Sequence, residues 1–511
     1  MLKKYLAQTE FSSYEDFVKN FRIIVPEQFN FGYDVVDAYA ATDPQKTALV
    51  WCDDNGEERT FTFAEIKYHS DRVASFLQSL GLRRGDPVML ILKRRYEYWF
   101  CLIALHKLGA VAIPATHLLT PRDIEHRNAA ADTKMIISVD DERVMQHVDD
   151  AEPHSPSLRW KVSLHGQRAG WHALYEGMES AALPFLRPTG DQAARNSDRM
   201  LIYFTSGTTG MPKMVQHDFS YPLGHILTAK YWQNVQPGGL HFTLADTGWA
   251  KAAWGKVYGQ WLAGSAVFVY DLERFDAQRL LAVTARHHVT TFCAPPTVYR
   301  MLVMEDIPSY KLNDLVDCTV AGEPLNPETF RQFYQATGIK MREGFGQTET
   351  TVAVASYPWF DPKPGSMGKP SAGYRIDLLN EDGKSCAAGE QGQIVIHTDG
   401  GTPVGMFNGY YRDEALTRML WERDVYYTGD VAWRDEDGFF WFVGRADDLI
   451  KTSGYRVSPF EVESVLLEHP AVVECAVTAF PDEMRGQVIK ATVVLNKTHA
   501  PGDDDVKLAL Q

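Results

Sequence analysis

The sequence lacks three features that would each have pointed to a particular class of protein. No apolar run approaches the roughly 20 residues of a membrane-spanning helix, and no apolar leader follows Lys3 and Lys4. The six cysteines are scattered without a Cys-x-x-Cys pair, which favours free thiols in a reducing compartment. With 51 Lys plus Arg against 66 Asp plus Glu, the net charge of −15 disfavours a general binder of nucleic acid or anionic membranes. We therefore expect a cytoplasmic protein without a membrane span.

Much of the chain alternates between predicted helices and buried strands. Thr62 and Glu65 form a capping box in front of an amphipathic helix that Gly81 ends, and Pro87–Leu92 follows as an apolar strand. The same alternation recurs at Tyr98–Leu108 with Ala110–Pro114, and at Ala277–His287 with Val289–Ala294. In a chain of 511 residues, this pattern predicts two to four domains or subdomains of layered α/β structure with parallel sheets.

Two stretches depart from this alternation. Asp150–Asn196 is rich in Pro, Gly, Ser and charged residues, which predicts a surface excursion. From Gly365 onward, short strands separated by acidic Gly turns predict a smaller β subdomain. After a polar break at Gly444–Asp448, Ser458 and Glu461 form a second capping box and two strands follow. A small carboxy-terminal domain is therefore expected to begin here.

One segment carries the groups that a polyphosphate needs. Thr205–Lys213 reads Thr-Ser-Gly-Thr-Thr-Gly-Met-Pro-Lys and follows the apolar segment Met200–Phe204. Its hydroxyls donate hydrogen bonds, its glycines let the backbone approach an anion, and Lys213 adds a cation. It is not a Walker sequence, because no Gly-Lys-Ser/Thr ends it, and the same composition is typical of solvated loops. Its place after a predicted strand favours a nucleotide phosphate site.

Three shorter segments carry groups suited to the rest of a nucleotide. In Glu343–Thr350, two glycines permit close approach, Thr348 can donate to a phosphate and Glu349 is a hard oxygen ligand suited to Mg²⁺. Asp430, which ends Tyr-Thr-Gly-Asp, can accept hydrogen bonds from both ribose hydroxyls. Gly322–Pro324 follows an apolar run as a strand-to-turn signal. Taken singly, the first segment also fits a capped helix start, and Asp430 also fits a turn.

In their order along the chain, these segments resemble the core motifs of the adenylate-forming (AMP-binding) superfamily. That superfamily includes acyl-CoA synthetases, peptide-synthetase adenylation domains and luciferases, and the resemblance covers nearly the whole chain. It implies an α/β fold with a large amino-terminal domain of two α/β subdomains plus a small β subdomain, followed by a small mobile α+β lid. The matching segments are Thr205–Lys213, Gly322–Pro324, Gly344–Glu349, Tyr427–Asp430 and Gly444–Lys451.

The resemblance assigns each part of ATP to particular residues. The adenine would be framed by Gly322, Glu323 and Pro324. The α-phosphate would contact Thr348 and the Mg²⁺ would bind Glu349. Asp430 and Arg445 would hold the ribose. The β- and γ-phosphates would lie on Thr205, Ser206, Gly207, Thr208, Thr209, Gly210 and Lys213. The residues expected to take part in catalysis are Lys213, Thr348, Glu349 and Asp447.

The resemblance also divides the chain into three functional parts. Residues 1–443 would bind ATP and the acyl group, 444–448 would be a hinge that rotates at Asp447, and 449–511 would be the lid. The segment matching the pantetheine tunnel and CoA phosphate site consists of Ser453, Gly454, Tyr455 and Arg456, although a solvated basic turn has the same composition.

The lid motif that carries a catalytic lysine in this superfamily, Ser-Gly-Lys, does not occur before Gln511. Lys497 and Lys507 stand in unrelated contexts. From the sequence alone we therefore expect either an incomplete lid or slow adenylation.

The acid substrate is predicted from the residues around Asp246 and Gly346. Asp246 stands where peptide-synthetase domains keep an aspartate for the substrate amine, but Gly248–Trp249 follows it as in acyl-CoA synthetases. Gly346 stands where acetate-activating relatives have a tryptophan, which implies room for a longer acyl chain. The predicted acyl-binding residues are Trp249, Lys256 and Gly346, although aromatic residues at this spacing are equally typical of ordinary core.

These features predict an AMP-forming acyl-CoA synthetase that uses ATP, Mg²⁺ and CoA to activate a medium- or branched-chain carboxylic acid. No side-chain nucleophile is expected, because nucleotidyl transfer depends on positioning and charge neutralisation. An aryl-CoA ligase is an alternative of the same class. A non-catalytic protein that binds ATP or acyl-AMP with a defective lid is an alternative of a different class.

Overall fold

The computed structural model of the protein describes residues 1–166, 168–205, 212–452, 455–467, 469, 471–482, 486–496 and 504–510. Its α-helices are Tyr14–Asn20, Ala38–Thr42, Phe63–Ser79, Glu97–Leu108, Pro121–Ala131, Glu142–Ala151, Leu174–Glu179, Tyr221–Ile226, Lys251–Gly255, Tyr258–Ala263, Ala277–Arg286, Pro296–Leu302, Pro327–Thr337, Glu414–Leu420, Pro459–Leu466 and Asp504–Ala509. Short 3-10 helices lie at Leu2–Lys4, Glu152–His154, Gly190–Gln192 and Ile307–Tyr310, and π-helical segments lie at Gly32–Asp37 and Leu227–Trp232.

Both ends of the predicted phosphate loop belong to a seven-stranded sheet. Adjacent strands are parallel except for the last pair, in which Thr205 lies opposite Lys213 in an antiparallel hairpin. The predicted strand before the loop is therefore confirmed, and pairing holds the two ends of the loop side by side. In spatial order the strands are His172–Ala173, Trp160–Ser163, Met135–Ser138, Pro87–Ile91, Val111–Pro114, Arg199–Thr205 and Lys213–Asp218.

The prediction of a surface excursion over Asp150–Asn196 is wrong for part of that stretch. Trp160–Ser163 and His172–Ala173 are strands of the seven-stranded sheet, and the helix Leu174–Glu179 packs on Phe63–Ser79. Two-residue and four-residue strands are too short to show a hydrophobic period, so composition alone suggested a loop. Sheet pairing, which the local sequence does not encode, decided the outcome.

A nine-stranded sheet carries the remaining parts of the α/β layers. It is parallel through its centre and antiparallel at both edges. The largest hydrophobic cluster contains residues from both large sheets, including Leu90, Ile202 and Val269, so the two α/β subdomains share one core. Its strands, in spatial order, are Lys369–Pro370, Val354–Ala355, Arg342–Phe345, Asp317–Val320, Thr291–Ala294, Leu240–Thr243, Ala266–Asp271, Thr47–Asp53 and Glu58–Thr62.

The predicted β subdomain is a five-stranded antiparallel sheet. Its strands are Arg375–Leu379, Gln391–His397, Val425–Arg434, Trp421–Glu422 and Phe440–Arg445. The acidic Gly turns that the sequence showed between these strands end one strand and start the next. Where Val425–Arg434 pairs with Phe440–Arg445, Asp430 lies directly opposite Arg445, so the sheet itself brings together the two residues predicted to hold the ribose.

Capping residues place the helices where the sequence predicts them. Thr62 and Glu65 form the complete capping box at the start of Phe63–Ser79. Ser458 accepts a hydrogen bond from the backbone of Glu461 at the start of Pro459–Leu466. Two hairpins complete the carboxy-terminal part, with strands Ile450–Thr452, Tyr455–Val457, Val472–Asp482 and Gly486–Leu495. Among the described residues, no helix has both the length and the apolar surface to cross a membrane.

Candidate active site

A cavity of about 800 Å³ is lined by residues at the strand ends of all three large sheets. The predicted site residues in its wall are Thr205, Lys213, Trp249, Gly322, Gly346, Thr348, Glu349, Arg445 and Asp447. An adjoining cavity of about 290 Å³ shares Gly322, Gly346 and Arg445 with the first and adds Glu323, Pro324 and Asp430. Of the residues predicted to bind ATP, all those that the structure describes therefore lie in these two adjoining cavities.

The ribose corner is a network of charged hydrogen bonds around Asp430. Arg445 donates to Asp430 over 3.4 Å, and Gln347 Nε2 donates to the other carboxylate oxygen over 2.6 Å. Gly429 has a φ of +78°, and a Cβ there would lie 2.8 Å from the Arg445 guanidinium. Burial raises the pKa of Asp430 to about 6, and Arg445 opposes that rise. The corner can thus present an ionised carboxylate to two hydroxyl groups at neutral pH.

Glu349 is a buried carboxylate on the phosphate side of the cavity. The hydroxyl of Tyr410 donates to Glu349 Oε1 over 2.7 Å, and Lys213 Nζ lies 5.5 Å from the centre of the Tyr410 ring. Burial raises the pKa of Glu349, while Tyr410 and Lys213 lower it. Tyr410 was not predicted from the sequence, because it lies 61 residues from Glu349 and belongs to no motif.

A Mg²⁺ ion fits this position. Among the described residues, no group of three or more His, Cys, Asp or Glu side chains forms a metal site by itself. Mg²⁺ is commonly bound by one or two carboxylates together with substrate phosphates and water. Glu349, beside the ends of the phosphate loop, supplies one such carboxylate.

The turn that carries Thr348 and Glu349 is held from three sides. The Gln347 side chain donates to the carbonyl of Thr428 over 2.8 Å, and the backbone N–H of Phe407 donates to the carbonyl of Glu349 over 2.8 Å. His217 Nε2 lies 2.8 Å from the carbonyl oxygen of Thr348. Gln347 and His217 are functional candidates that the sequence reasoning missed. Gln347 stands inside a recognised motif, whereas nothing near His217 signals its contact.

The part of the cavity predicted to bind the acyl group is built from indole rings packed on glycine. Trp249 is 57% exposed at the mouth, and Trp254 lies deeper in the wall. A Cβ on Gly346 would lie 2.4 Å from Trp254 and 2.5 Å from the carbonyl of Thr351. The space that Gly346 leaves is therefore taken up by the ring of Trp254. A second contact of this kind packs the ring of Trp232 on Gly344.

The lysine at this cavity differs from the predicted one. Lys256 is completely buried, lies outside the cavity wall, and has no hydrogen-bond partner for Nζ among the described residues. Burial lowers the pKa of Lys256 to about 7. Lys251 lines the cavity instead and donates from Nζ to the carbonyl of Ala321 over 2.6 Å. The acyl-binding role of Lys256 stays a prediction, and the structure adds Lys251, at the start of the short helix Lys251–Gly255, to the residues of the cavity wall.

Several predicted site residues lie outside what the structure describes. These are Ser206, Gly207, Thr208, Thr209 and Gly210 of the phosphate loop, and Ser453 and Gly454 of the predicted CoA segment. For Tyr455 and Arg456 the backbone is a strand and the side chains are outside the description. Asp447 lines the cavity and accepts a hydrogen bond from Arg445 Nε over 3.3 Å.

Curated relatives match this chain over most of its length. The chain is 40% identical to the mitochondrial acyl-coenzyme A synthetase ACSM3 of Rattus norvegicus over 504 residues, which cover 97% of this chain and 86% of the relative. It is 40% identical to the human mitochondrial acyl-coenzyme A synthetase ACSM4 over 480 residues, or 92% of this chain and 82% of the relative.

Solved structures and family models agree with these relatives. An anthranilate CoA ligase in complex with anthranoyl-AMP superposes with a TM-score of 0.85 at 27% identity, covering 95% of this chain and 90% of that one. An acyl-CoA synthetase of Brucella canis gives a TM-score of 0.79 at 27% identity, covering 97% and 92%. The AMP-binding enzyme model matches residues 36–411, and the model of its carboxy-terminal domain matches residues 461–510. A chain with this cavity, fold and set of relatives belongs to the AMP-binding enzyme family.

Proposed function

We propose that this protein is an AMP-forming acid–thiol ligase, an acyl-CoA synthetase that uses ATP and CoA. The observation that carries the proposal is one continuous site. The Asp430–Arg445 corner, buried Glu349 and Lys213 lie at one end, and the indole-lined space beside Gly346 lies at the other. A nucleotide and an apolar carboxylic acid placed in these two parts would meet beside Thr348.

The proposed reaction has two steps. In the first, a carboxylate oxygen of the acid attacks the α-phosphorus of ATP, the bond to the bridging oxygen breaks, and pyrophosphate leaves. In the second, the sulfur of CoA attacks the acyl carbonyl carbon of the acyl-AMP and AMP leaves. Neither step needs a side-chain nucleophile, so the protein contributes positioning and electrostatic stabilisation.

Each described residue has a distinct part in that scheme. Asp430 and Arg445 hold the ribose, which fixes the α-phosphate relative to the acid. Thr348 donates to the α-phosphate and Lys213 stabilises charge on the outer phosphates. Glu349 would hold Mg²⁺, which would supply charge neutralisation when bound.

We propose a medium- or branched-chain acid of roughly four to eight carbons as the substrate. Trp249, Trp254 and the backbone at Gly346 supply an apolar wall, which favours an aliphatic tail through burial of about 0.8 kcal/mol per methylene group. An aromatic acid is the second candidate. Stacking on an indole stabilises a flat ring by about 0.5–1.5 kcal/mol, and the solved ligase that superposes with the larger TM-score of the two acts on an aromatic acid.

We further propose a division into an adenylation domain at 1–443, a hinge at 444–448 and a lid at 449–511. Asp447 lies at the cavity wall, between the five-stranded sheet and the small hairpins along the chain. Rotation of the backbone there would turn the lid, so that a different face of the lid meets the site. The CoA-binding roles of Ser453, Gly454, Tyr455 and Arg456 belong to this proposal. The described cysteines are all free, which supports a reducing compartment, and we propose the cytoplasm.

A panel of acids tests the proposed function. Straight and branched acids of two to ten carbons, together with benzoate and anthranilate, are incubated with ATP, Mg²⁺ and CoA, and AMP and thioester are quantified. We expect AMP and thioester in equal amounts, with the highest kcat/KM in the aliphatic range of four to eight carbons. A maximum with the aromatic acids would make the protein an aryl-CoA ligase. Binding of ATP without any acid-dependent AMP or pyrophosphate release would make it a non-catalytic binder.

A further inference from the structure

His217 connects the strand of the phosphate loop to the turn that carries Thr348. It lies four residues after Lys213 on the strand Lys213–Asp218, and its side chain is completely buried. Its Nε2 lies 2.8 Å from the carbonyl oxygen of Thr348. Because a carbonyl oxygen only accepts hydrogen bonds, Nε2 must carry the hydrogen, and His217 is the donor.

The surroundings of His217 keep this donor neutral and fixed in place. The imidazole stacks on the ring of Tyr221, with ring centres 3.8 Å apart and an angle of 27° between the planes. Nδ1 has no hydrogen-bond partner among the described residues, so a second ring hydrogen would be left unpaired in the interior. The charged groups Lys213, Glu349 and Arg445 line the cavity, and Asp430 lines the adjoining one. Burial also lowers the pKa of His217 to about 3.

No other described residue donates to the carbonyl of Thr348. The adjoining residues of the turn have separate supports, with Gln347 bonded to Asp430 and the Glu349 carbonyl bonded to the N–H of Phe407. Loss of the His217 bond would therefore remove the described partner of a carbonyl in a half-buried residue. That carbonyl lies between Gln347, which contacts Asp430, and Glu349, the proposed Mg²⁺ ligand. The peptide plane between Thr348 and Glu349 is the part of the turn that would gain freedom.

We propose that His217 is a positioning residue for adenylation, which holds the Thr348 carbonyl so that the Thr348 hydroxyl and the Glu349 carboxylate face the reacting phosphates together. The inference rests on the proposed function and deepens it. His217 touches neither substrate nor metal in this scheme. It acts through the backbone of Thr348, and it acts as a donor whose presence does not change between pH 5 and pH 9.

Three variants of His217 and two of His225 separate positioning from general packing. His217→Gln keeps an amide N–H near the place of Nε2, whereas His217→Asn places its amide near Nδ1 and His217→Met has no donor. His225 provides the matched control, since it is equally buried and lies against the same Tyr221 ring with centres 4.6 Å apart. Its Nδ1 lies 3.2 Å from the hydroxyl of Thr228, whereas His217 contacts the backbone of Thr348. His225→Gln and His225→Met therefore remove a comparable imidazole from the same aromatic cluster.

The readouts are acid-dependent exchange of pyrophosphate into ATP over a range of pH, and thermal unfolding. We expect His217→Met and His217→Asn to lower kcat for exchange about tenfold or more, with the KM of the acid nearly unchanged, because the cost falls on transition-state alignment. His217→Gln should recover most of that rate. The two His225 variants should lower the unfolding temperature and leave kcat close to that of the parent.

The outcomes distinguish this inference from the proposed function. If the parent protein shows no exchange with any acid of the panel, the proposed function fails. If the parent is active and His217→Met or His217→Asn keeps its full kcat, or if His217→Gln is as slow as His217→Asn, the positioning role is refuted. A third outcome would also overturn it: an exchange rate that depends on pH with a pKa near 6.5 in the parent and loses that dependence in His217→Gln. A donor that stays neutral does not titrate near pH 6.5.

Discussion

The two sides of the cavity are built on different physical principles. The nucleotide side is polar and bonded throughout, with Asp430, Arg445 and Gln347 linked across two strands and a neighbouring turn. The side proposed for the acid is apolar at its wall, with the ring of Trp254 packed on Gly346. Directed hydrogen bonds discriminate strongly between ligands, whereas apolar packing discriminates by only about 1–3 kcal/mol per methylene group. We therefore expect strict selection of the nucleotide and graded selection of the acid.

The largest effect should follow from Glu349→Gln, which keeps the shape of the side chain and removes the charge that would hold Mg²⁺. We expect adenylation to fall by about a hundredfold at fixed Mg²⁺ and to recover partly as Mg²⁺ is raised. Mg²⁺ titrations of pyrophosphate exchange measure both. Tyr410→Phe removes only the hydroxyl that bonds Glu349 Oε1 and should have a smaller effect of the same kind. Equal Mg²⁺ dependence in parent and Glu349→Gln would place the ion elsewhere.

Asp430→Ala should have the next largest effect. Removing a carboxylate that accepts ribose hydroxyls should weaken ATP binding by about 1.5–3 kcal/mol, or roughly 10- to 150-fold. Calorimetric titration with ATP gives the dissociation constant directly. The chain-length profile for acids should stay as in the parent, because Asp430 lines the adjoining nucleotide cavity and not the acyl side. An unchanged dissociation constant would refute the ribose assignment.

The same carboxylate predicts a pH dependence. In the proposed site, the ionised form of Asp430 would stabilise the ATP complex, and burial raises the pKa of Asp430 to about 6. The affinity for ATP should therefore be highest above pH 6 and should weaken as the pH falls through that value. The dissociation constant should rise by up to about tenfold per pH unit, as expected when one proton is bound. Asp430→Asn removes the titration and serves as the control for protonation of ATP itself. Parallel pH profiles of parent and Asp430→Asn would contradict the prediction.

Gly346→Ala tests the acyl side through packing alone. Its new Cβ would meet Trp254 at 2.4 Å and the Thr351 carbonyl at 2.5 Å, so the indole must move into the cavity or the turn must shift. We expect a loss of stability of about 1–3 kcal/mol and a profile shifted toward shorter acids. Gly400→Ala is the control, because a Cβ there would meet only the end of Arg375 at 3.6 Å. A parent-like profile would show that the acyl tail lies away from Trp254.

The smallest effect is expected for Lys251→Met. Lys251 places a cation at the cavity wall, and burial lowers its pKa. An apolar side chain there should lower the KM of longer aliphatic acids a few-fold and leave ATP binding unchanged. The expected gain in binding free energy is about that of burying one more methylene group. Lys256→Met is the matched control and should alter unfolding rather than the acid profile. If only the control changes the profile, the acyl tail extends toward Lys256.

Most of the fold, and the candidates for the nucleotide site, could be predicted from local sequence. The capping box at Thr62, the buried strands and the acidic Gly turns are encoded within a few residues, so elements such as Phe63–Ser79 were placed within one or two residues. The predicted phosphate loop and Asp430 stand in short motifs whose residue types predict which part of ATP each would bind. Motifs of this kind are local because a backbone turn and a few adjacent side chains bind each part of ATP.

What only the tertiary structure decided depends on contacts between distant segments. The strand Trp160–Ser163, the bond from His217 to Thr348 and the place of Lys251 in the cavity wall arise from pairing and packing across tens to hundreds of residues. Trp254 replaces a side chain at Gly346 for the same reason, since close packing specifies a total volume and not which residue supplies it. Local sequence therefore determined which chemical groups this protein has for a nucleotide site, and the tertiary fold determined which side chains lie in the cavity.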